Sequence, residues 1–299
     1  MPELPEVETI RRQLAPRLVG CSVTEAWAFP SAKFDQAPAA IGSQVVEVRR
    51  RGKYLLVDLR RDGGPTAGDR TAGDRTVGGP AHEGVHDRPA TSELVVHLGM
   101  TGRLAVHEGR GDVVDHHPHL RAWWSLDDGR VLTFHDTRRF GRIAVVPAGR
   151  YDALPTLAAL GPEPDDEAFT GEHLRRSVNA GRRRIKTALL SQRPVAGVGN
   201  IYADEALWRA GVDPRARRLT RAGADRLRDA VREVLREGID HGGTTLRDYV
   251  DADGATGTNQ HRLDCYGRAG QECHRCGTTL RGAVLDARST TWCPTCQPR

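Results

Sequence analysis

The sequence predicts an α+β protein of two domains, with a β-rich domain first and a helical domain with a small metal-binding hairpin after it. Short β-branched, alternating runs dominate residues 1–150, helical periodicity replaces them in 151–261, and 262–299 holds four cysteines in two close pairs. The length of 299 residues is enough for two domains, each with its own core. These three ranges are the predicted units of the chain.

The β-rich domain is predicted to begin with a helix. Pro5 can occupy the first helical turn, and Val7, Ile10, Leu14 and Leu18 recur at helical spacing. This spacing places the four apolar side chains on one face of the helix.

β-Strands are predicted after this helix. The run 44–59 is β-branched and alternating and bends at Gly52, which indicates two strands or one strand with a bulge, with Lys53 beside the bend. The stretch 61–92 carries a tandem Thr-Ala-Gly-Asp-Arg repeat and has almost nothing to bury, so we expect a disordered surface insertion. Further strands are predicted at 93–97, 121–126, 131–135 and 142–146.

The pattern becomes helical after a Pro/Gly-rich linker near 155–164. The longest predicted helix places Leu227, Val231, Val234 and Leu235 on one face, and Gly242-Gly243 ends it. The predicted helices lie near 171–179, 183–192, 200–210 and 221–240.

Composition argues against a membrane or secreted protein. The mean hydropathy is −0.52, and no run of about 18 apolar residues occurs, so we expect no membrane span. The N-terminus carries acids at Glu3, Glu6 and Glu8 and has no apolar run, unlike a signal peptide. We therefore expect a cytoplasmic protein whose cysteines are reduced or bound to metal.

The charge is unevenly distributed. Residues 171–299 hold 23 Lys+Arg and 15 Asp+Glu, whereas residues 1–170 hold 21 and 24. The basic half suggests an anionic polymer as partner, and an arginine-rich surface without such a partner is the alternative. The chain has only three lysines, Lys33, Lys53 and Lys186, and lysine gives up a proton far more readily than arginine.

The chain starts with Met1-Pro2-Glu3. Initiator methionine is normally removed before proline, which would leave a free secondary amine with a pKa near ~8 beside a carboxylate. Such an amine condenses with an aldehyde carbon to give an iminium ion, whose charge favours elimination at the neighbouring carbon. The alternative is that Pro2 only starts a helix.

The spacing of the C-terminal cysteines is that of a zinc ribbon. Two C-x2-C pairs separated by sixteen residues can supply four thiolates to one tetrahedral ion, which we expect to be structural because no coordination position is open. The four ligands are Cys273, Cys276, Cys293 and Cys296. The remaining two, Cys21 and Cys265, are interpreted as packing residues.

Arg288 is predicted to lie in the loop between the two cysteine pairs, followed by Ser289 and Thr290. A zinc-stapled tip with these side chains suits a contact with phosphate or the minor groove. A solvated loop arginine is the alternative.

Six motifs in register carry a family resemblance. They are MPELPEVET (1–9), GKYLL (52–56), HLGMTG (97–102), DTRRFG (136–141), GVGNIYA (197–203) and the zinc ribbon. In these motifs the chain resembles the formamidopyrimidine-DNA glycosylases of bacteria over nearly its whole length, apart from 61–92. The resemblance implies an N-terminal β-sandwich with a leading helix, a helix–two-turn–helix domain, a zinc finger with one structural Zn²⁺, and a monomer acting on double-stranded DNA.

The resemblance also implies a mechanism. Pro2 would attack C1′ of an oxidised purine nucleotide such as 8-oxoguanine or a formamidopyrimidine, with Glu3 as the adjacent acid/base. Lys53 would assist the first elimination and hold a phosphate, and Arg288 would serve the second. Abasic sites would be substrates too, and the product would be a one-nucleotide gap.

Eight further positions match residues that contact DNA in the family. Met100, Arg138 and Phe140 resemble the trio that fills the space left by a flipped base. Asn200 begins the predicted third helix, where glycines and backbone N–H groups would bind phosphate; a helix cap by Asn200 is the alternative. The others are His97, His117, Arg182 and Tyr266.

Two other hypotheses stay open. The first is an endonuclease VIII-like preference for oxidised pyrimidines on the same fold, although that branch usually has glycine at the position of Leu4. The second is a non-catalytic protein that binds damaged DNA. One departure from the family is Gly257-Thr258-Asn259, where an aromatic residue usually follows the glycine in a loop that covers the flipped base.

Overall fold

The computed structural model describes residues 1–61, 90–111 and 117–299. Of the predicted insertion at 61–92, Arg61 and Ser92 lie in strands, and 62–89 falls outside the described residues. The unit boundaries at 150 and 261 stay predictions.

The described part of the N-terminal domain is a sandwich of two four-stranded antiparallel sheets, as predicted. One sheet has the order β2-β3-β4-β8 and the other β1-β6-β7-β5. The strands are β1 (Val23–Ala28), β2 (Ser43–Arg51), β3 (Tyr54–Arg61), β4 (Ser92–His97), β5 (Gly102–His107), β6 (Leu120–Leu126), β7 (Val131–Asp136) and β8 (Arg142–Pro147). The run 44–59 forms two strands. Strands β1 and β5 were not predicted, because their charged and exposed residues blur the alternation and only pairing with β6 and β7 defines them.

The first helix, α1 (Leu4–Leu18), belongs to both domains. Its residues Val7, Ile10, Leu14 and Leu18 are buried with the inner faces of the sandwich, as the periodicity predicts. Leu4 instead packs in the core of the helical domain. Residues 2 and 3 are therefore placed where the two domains meet.

The second domain is helical. The predicted linker contains one helical turn, and the predicted helix at 183–192 is shorter than expected. Thr170 and Thr220 cap two of the helices with their side chains, and Gly211, with a φ of +66°, ends another. The helices are α2 (Pro155–Ala158), α3 (Gly171–Asn179), α4 (Ile185–Leu190), α5 (Asn200–Ala210) and α6 (Arg221–Asp240).

A two-stranded hairpin of β9 (Arg281–Leu285) and β10 (Arg288–Trp292) follows and packs against α5. Its turn residues Asp286 and Ala287 both have positive φ, as tight hairpins require. In the described part of the chain, no helix is both long and apolar enough to cross a membrane.

Candidate active site

The N-terminus of α1 is fixed to the helical domain. The Leu4 N–H donates to the Gly197 carbonyl (3.1 Å). Glu3, the N-cap residue of α1, is only 1% exposed, and its carboxylate accepts the N–H groups of Gly199 (2.6 Å) and Ile201 (2.9 Å). The carboxylate therefore lies at the N-terminus of α5, where the helix dipole favours negative charge.

These contacts correct two predictions about the start of α5. Among the backbone N–H groups predicted to bind phosphate, those of Gly199 and Ile201 donate to the Glu3 carboxylate instead. The alternative cap by Asn200 is also wrong, because Gly199 is the N-cap residue and Asn200 is the first residue of the helix. Glu3 is 196 positions from Gly199, so no local pattern could reveal the contact.

Lys53 lies in the two-residue turn between β2 and β3. The turn depends on Gly52, whose φ is +56° and whose N–H donates to the Glu163 carboxylate (2.7 Å). Burial lowers the pKa of the Lys53 ammonium group, the carboxylate of Glu3 opposes this shift, and the charge of Arg288 adds to it. Lys53 is thus an amine that exchanges a proton more readily than an exposed lysine does.

Glu3 and Lys53 both crowd Gly199. A Cβ atom on Gly199 would lie 2.3 Å from the Glu3 carboxyl carbon and 2.5 Å from Lys53 Nζ. Any other residue would displace at least one of these two side chains, which gives a steric reason for this glycine of the GVGNIYA motif.

A cavity of about 410 Å³ opens beside these residues. It brings together five of the predicted site residues, which come from both domains and the hairpin: Lys53, His97, Phe140, Asn200 and Arg288. Met1 also lines it and is 46% exposed, while Pro2 beneath it is buried. Removal of Met1, which lines the cavity, would leave Pro2 as the first residue.

Glu6 is a buried acid whose role the sequence pattern did not reveal. Its carboxylate accepts the Glu3 N–H (2.7 Å), the Tyr202 hydroxyl (2.8 Å) and the Thr244 N–H (2.7 Å). Burial raises the pKa of Glu6 to about 7, and the nearby charge of Glu3 contributes. The available signal was the capping-box spacing of Glu3 and Glu6.

His97 is the neutral member of the cavity wall. Burial lowers its pKa to about 4, and the Lys53 charge adds to the effect. The ring packs on Tyr54 (centroids 4.8 Å apart), and Nδ1 accepts the Gly99 N–H (3.2 Å). His97 can therefore bind or orient a group near neutral pH without adding positive charge.

The predicted base-replacing trio lies on two adjacent loops. Met100 follows β4, while Arg138 and Phe140 follow β7. The Arg138 guanidinium lies 4.9 Å from the centre of the Phe140 ring, and Phe140 is 50% exposed. A large aromatic exposed to this degree beside a cation is suited to stack on a base.

Asp136 holds these two loops together. It is fully buried and accepts the Thr101 hydroxyl (2.6 Å) and the Gly141 N–H (2.7 Å), while Thr101 in turn accepts the Arg138 N–H (3.1 Å). The motif contained Asp136, but its sequence context did not indicate this role.

Contacts from α4 and α5 fix the strand that begins with Arg288. Asn200 Nδ2 donates to the Ser289 carbonyl (3.1 Å), and Lys186 Nζ donates to the same oxygen (2.6 Å). Lys186 also pairs with Asp204 (2.7 Å), and both side chains are buried. The sequence predicted Arg288 in a loop; it is instead the first residue of β10.

Five of the eight predicted DNA contacts do not line this cavity: Met100 and Arg138 on the two loops, and His117, Arg182 and Tyr266 elsewhere. His117 lines a separate cavity of about 310 Å³ with His119 and His135. Arg182 lines another, of about 430 Å³, among other arginines. Tyr266 packs on the helical core, and its N–H donates to Glu205 (2.7 Å).

The four C-terminal cysteines converge. Their sulfur atoms all lie within 4.8 Å of one another, and the Cys276–Cys293 pair is 3.5 Å apart. Tetrahedral Zn–S bonds of about 2.3 Å require sulfur separations of about 3.7 Å, so the set fits one zinc ion. Cys21 and Cys265 are buried in apolar clusters, as interpreted.

The chain combines a β-sandwich, a helix–two-turn–helix domain and a four-cysteine hairpin. This combination defines a class of two-domain proteins with a zinc finger, and the C-terminal half is basic. Family models match this chain in the same order: the formamidopyrimidine-DNA glycosylase N-terminal domain at 1–143, its H2TH domain at 160–250, and the zinc finger found in FPG and IleRS at 270–299. The chain belongs to the formamidopyrimidine-DNA glycosylase family. Its four C-terminal cysteines form the site of one structural zinc ion.

Individual relatives match this chain over nearly its full length. The chain is 42% identical to the formamidopyrimidine-DNA glycosylase of Deinococcus radiodurans, over 100% of this chain and 98% of the relative. The crystal structure of MutM (Fpg) from Thermus thermophilus superimposes with a TM-score of 0.81 at 42% identity, covering 99% and 98% of the two chains. A Lactococcus lactis FPG mutant in complex with Fapy-dG DNA gives 0.80 at 30% identity, covering all of both chains.

Replacing Cys293 with Ser should remove one zinc ligand. We expect the hairpin to lose its order, because it is too small to have a core of its own, and DNA nicking to fall at least tenfold as Arg288 is released. Cys21→Ser, which changes a cysteine far from zinc, is the control. Zinc content, measured by mass spectrometry, and nicking should fall together; nicking that persists in a zinc-free variant would contradict this role.

Proposed function

We propose that this DNA glycosylase excises oxidised purines from double-stranded DNA and nicks the strand by β,δ-elimination, with the Pro2 nitrogen as nucleophile. The supporting observation is the arrangement at the domain junction. Buried Glu3 and Lys53 flank Gly199, and Arg288 lines the same cavity from the hairpin. Base excision repair is the pathway in which the protein acts, and we place it in the cytoplasm on chromosomal DNA.

The first chemical step makes the covalent intermediate. After loss of Met1, the Pro2 nitrogen attacks C1′, the bond from C1′ to the damaged base breaks, and the proton that the nitrogen loses balances the one that the departing base takes up. Glu3 delivers a proton to the sugar ring oxygen as that oxygen leaves C1′ and the iminium forms. The N–H groups of Gly199 and Ile201 hold the carboxyl group of Glu3, the residue that follows Pro2, against the start of α5.

The second stage breaks the strand. The iminium acidifies the proton on C2′, a base removes it, and the bond from C3′ to the 3′-phosphate oxygen breaks. A second elimination expels the 5′-phosphate. Lys53, with its lowered pKa, suits the first proton transfer, and the guanidinium of Arg288 suits the phosphate that leaves last.

Access to C1′ requires that the damaged nucleotide leave the helix. Met100, Arg138 and Phe140 would enter the vacated space, held in place by Asp136. We assign His97, His117, Arg182, Asn200 and Tyr266 to the surrounding DNA interface. Affinity should fall steeply with salt, since most such contacts go to phosphates.

A panel of lesions tests this function. Wild-type protein should nick duplexes with 8-oxoguanine opposite cytosine much faster than duplexes with thymine glycol. The reverse order would favour the endonuclease VIII-like hypothesis. Tight binding of damaged DNA without any nicking would favour the non-catalytic hypothesis and contradict the proposal.

His97 should not contribute to the pH dependence of the nicking rate. Because its pKa lies near 4, the imidazole is neutral throughout pH 5.5–8, so replacement by Asn should change the single-turnover rate by a constant factor. The ratio of wild-type to His97→Asn rates, measured across that range, is the test. A ratio that changes with a midpoint near ~6.5, the ordinary value for histidine, would contradict the assignment.

A further inference from the structure

A segment of the helical domain runs back along α1. Residues 244–259, here called the strap, leave the end of α6 and reach the N-terminal domain. Gln13 Nε2 donates to Asp251 (2.8 Å), the side-chain carbonyl oxygen of Gln13 accepts the Ala252 N–H (2.9 Å), and Arg17 pairs with Asp253 (2.6 Å). Residues on α1 thus hold the tip of the strap.

The base of the strap is held by the same helix. Glu6, one turn from Glu3, accepts the Thr244 N–H (2.7 Å) and the Tyr202 hydroxyl (2.8 Å). The Tyr202 and Thr244 hydroxyl groups lie 3.0 Å apart, and Asn259 Nδ2 donates to Thr244 Oγ1 (2.8 Å). These contacts form one buried polar chain from Asn259 to α1.

The C-terminal end of the strap also lies against the residues that directly precede the strap. The Asn259 N–H donates to the Gly243 carbonyl (3.2 Å), and the Thr258 N–H donates to the His241 carbonyl (2.9 Å). A Cβ on Gly257 would lie 2.1 Å from the Gly243 oxygen, so the backbones touch. Asn259 is 5% exposed, and its buried side chain reaches α1 through Thr244.

We propose that Asn259 is a positioning residue, which locks the strap onto α1 and thereby fixes the helix that presents Pro2 and Glu3. The argument for a catalytic effect rests on the proposed function. Glu6 links the strap to the start of α1, because it accepts the Thr244 N–H and also the Glu3 N–H (2.7 Å). Asparagine here supplies a donor that a phenylalanine side chain at this position would lack.

Asn259→Ala tests the proposal, with Asn179→Ala as the matched control. Asn179 also ties two segments through its side chain, to Leu219, but lies away from α1. In Asn259→Ala, hydrogen exchange at the amides of Thr244, Thr258 and Asn259 should accelerate about tenfold, the effect of losing one buried hydrogen bond. Asn179→Ala should leave those amides unchanged.

The kinetic arm compares two substrates. Asn259→Ala should lower kcat about tenfold on 8-oxoguanine DNA and on abasic-site DNA alike, with KM unchanged, because α1 serves both. Gln13→Ala, a half-buried change at the tip, should act in the same direction if Asn259→Ala folds poorly.

Three results for Asn259→Ala would overturn the inference. They are unchanged hydrogen exchange at these amides, a kcat equal to that of Asn179→Ala, and a loss of activity on 8-oxoguanine DNA that is absent on abasic-site DNA. An inactive wild-type protein would instead contradict the proposed function, and the exchange arm would still decide whether Asn259 locks the strap.

Discussion

Gly199→Ala should reduce strand nicking by at least about 100-fold, as expected when catalytic groups move by an ångström. The added Cβ would lie 2.3 Å from the Glu3 carboxyl carbon and 2.5 Å from Lys53 Nζ, so one or both must move. Backbone strain is not the cause, since the φ of Gly199 is −121°, which any residue adopts. Single-turnover nicking of 8-oxoguanine DNA measures the effect.

Gly109→Ala is the control for this change, because a Cβ there meets nothing within 4 Å. It should leave nicking within about twofold of wild type, as an ordinary surface substitution does. A Gly199→Ala protein that is folded and fully active would show that the spacing of Glu3 and Lys53 does not control the reaction.

Lys53→Met should stabilise the protein while reducing the nicking rate by about 100-fold or more, because a positioned acid or base usually accelerates a reaction by at least that factor. Burial lowers the pKa of Lys53, so its charge costs folding free energy at neutral pH. Methionine has similar volume and no charge, so we expect it to raise the free energy of unfolding. Denaturant unfolding and single-turnover kinetics, on the same preparation, test both parts.

The stability gain from Lys53→Met should depend on pH in a defined direction. The wild type carries the full cost at pH values below the lowered pKa of the folded Lys53 and loses it as pH rises to the ordinary value of ~10.4 in the unfolded chain, so the gain should shrink as pH rises over that range. A loss of stability at pH 7 would mean that the pairing of Lys53 with Glu3 and Glu6 outweighs its burial, contrary to this account.

Local patterns in the sequence predicted much of the fold. The apolar spacing of α1, the alternation of the central strands and the cysteine spacing each depend on neighbours within a few residues, and the structure confirms them. Strands β1 and β5 escaped prediction because only their partners in the sheet define them. The single turn α2 lies in a Pro-rich stretch whose composition indicates a linker.

The candidate site was predictable in its residue types but not in its contacts. Pro2, Glu3, Lys53 and Arg288 come from motifs, yet the placement of Glu3 on the N–H groups of Gly199 and Ile201 joins positions almost 200 residues apart. The contacts of Glu6 and Asp136 were missed for the same reason, as was the hydrogen bond from Asn259 to Thr244. Each is a buried polar side chain whose partners lie on other elements, and one sequence carries no sign of such pairs.

The identity of the nucleophile is the central claim, and covalent trapping tests it most directly. The intact mass of the purified protein should show that Met1 is absent. The same protein, treated with borohydride during reaction with 8-oxoguanine DNA, should give one covalent complex. Peptide mapping should place the DNA on Pro2, and Pro2→Gly should abolish the complex. DNA found on Lys53, trapping by protein that retains Met1, or no trapping by active wild type would contradict the account.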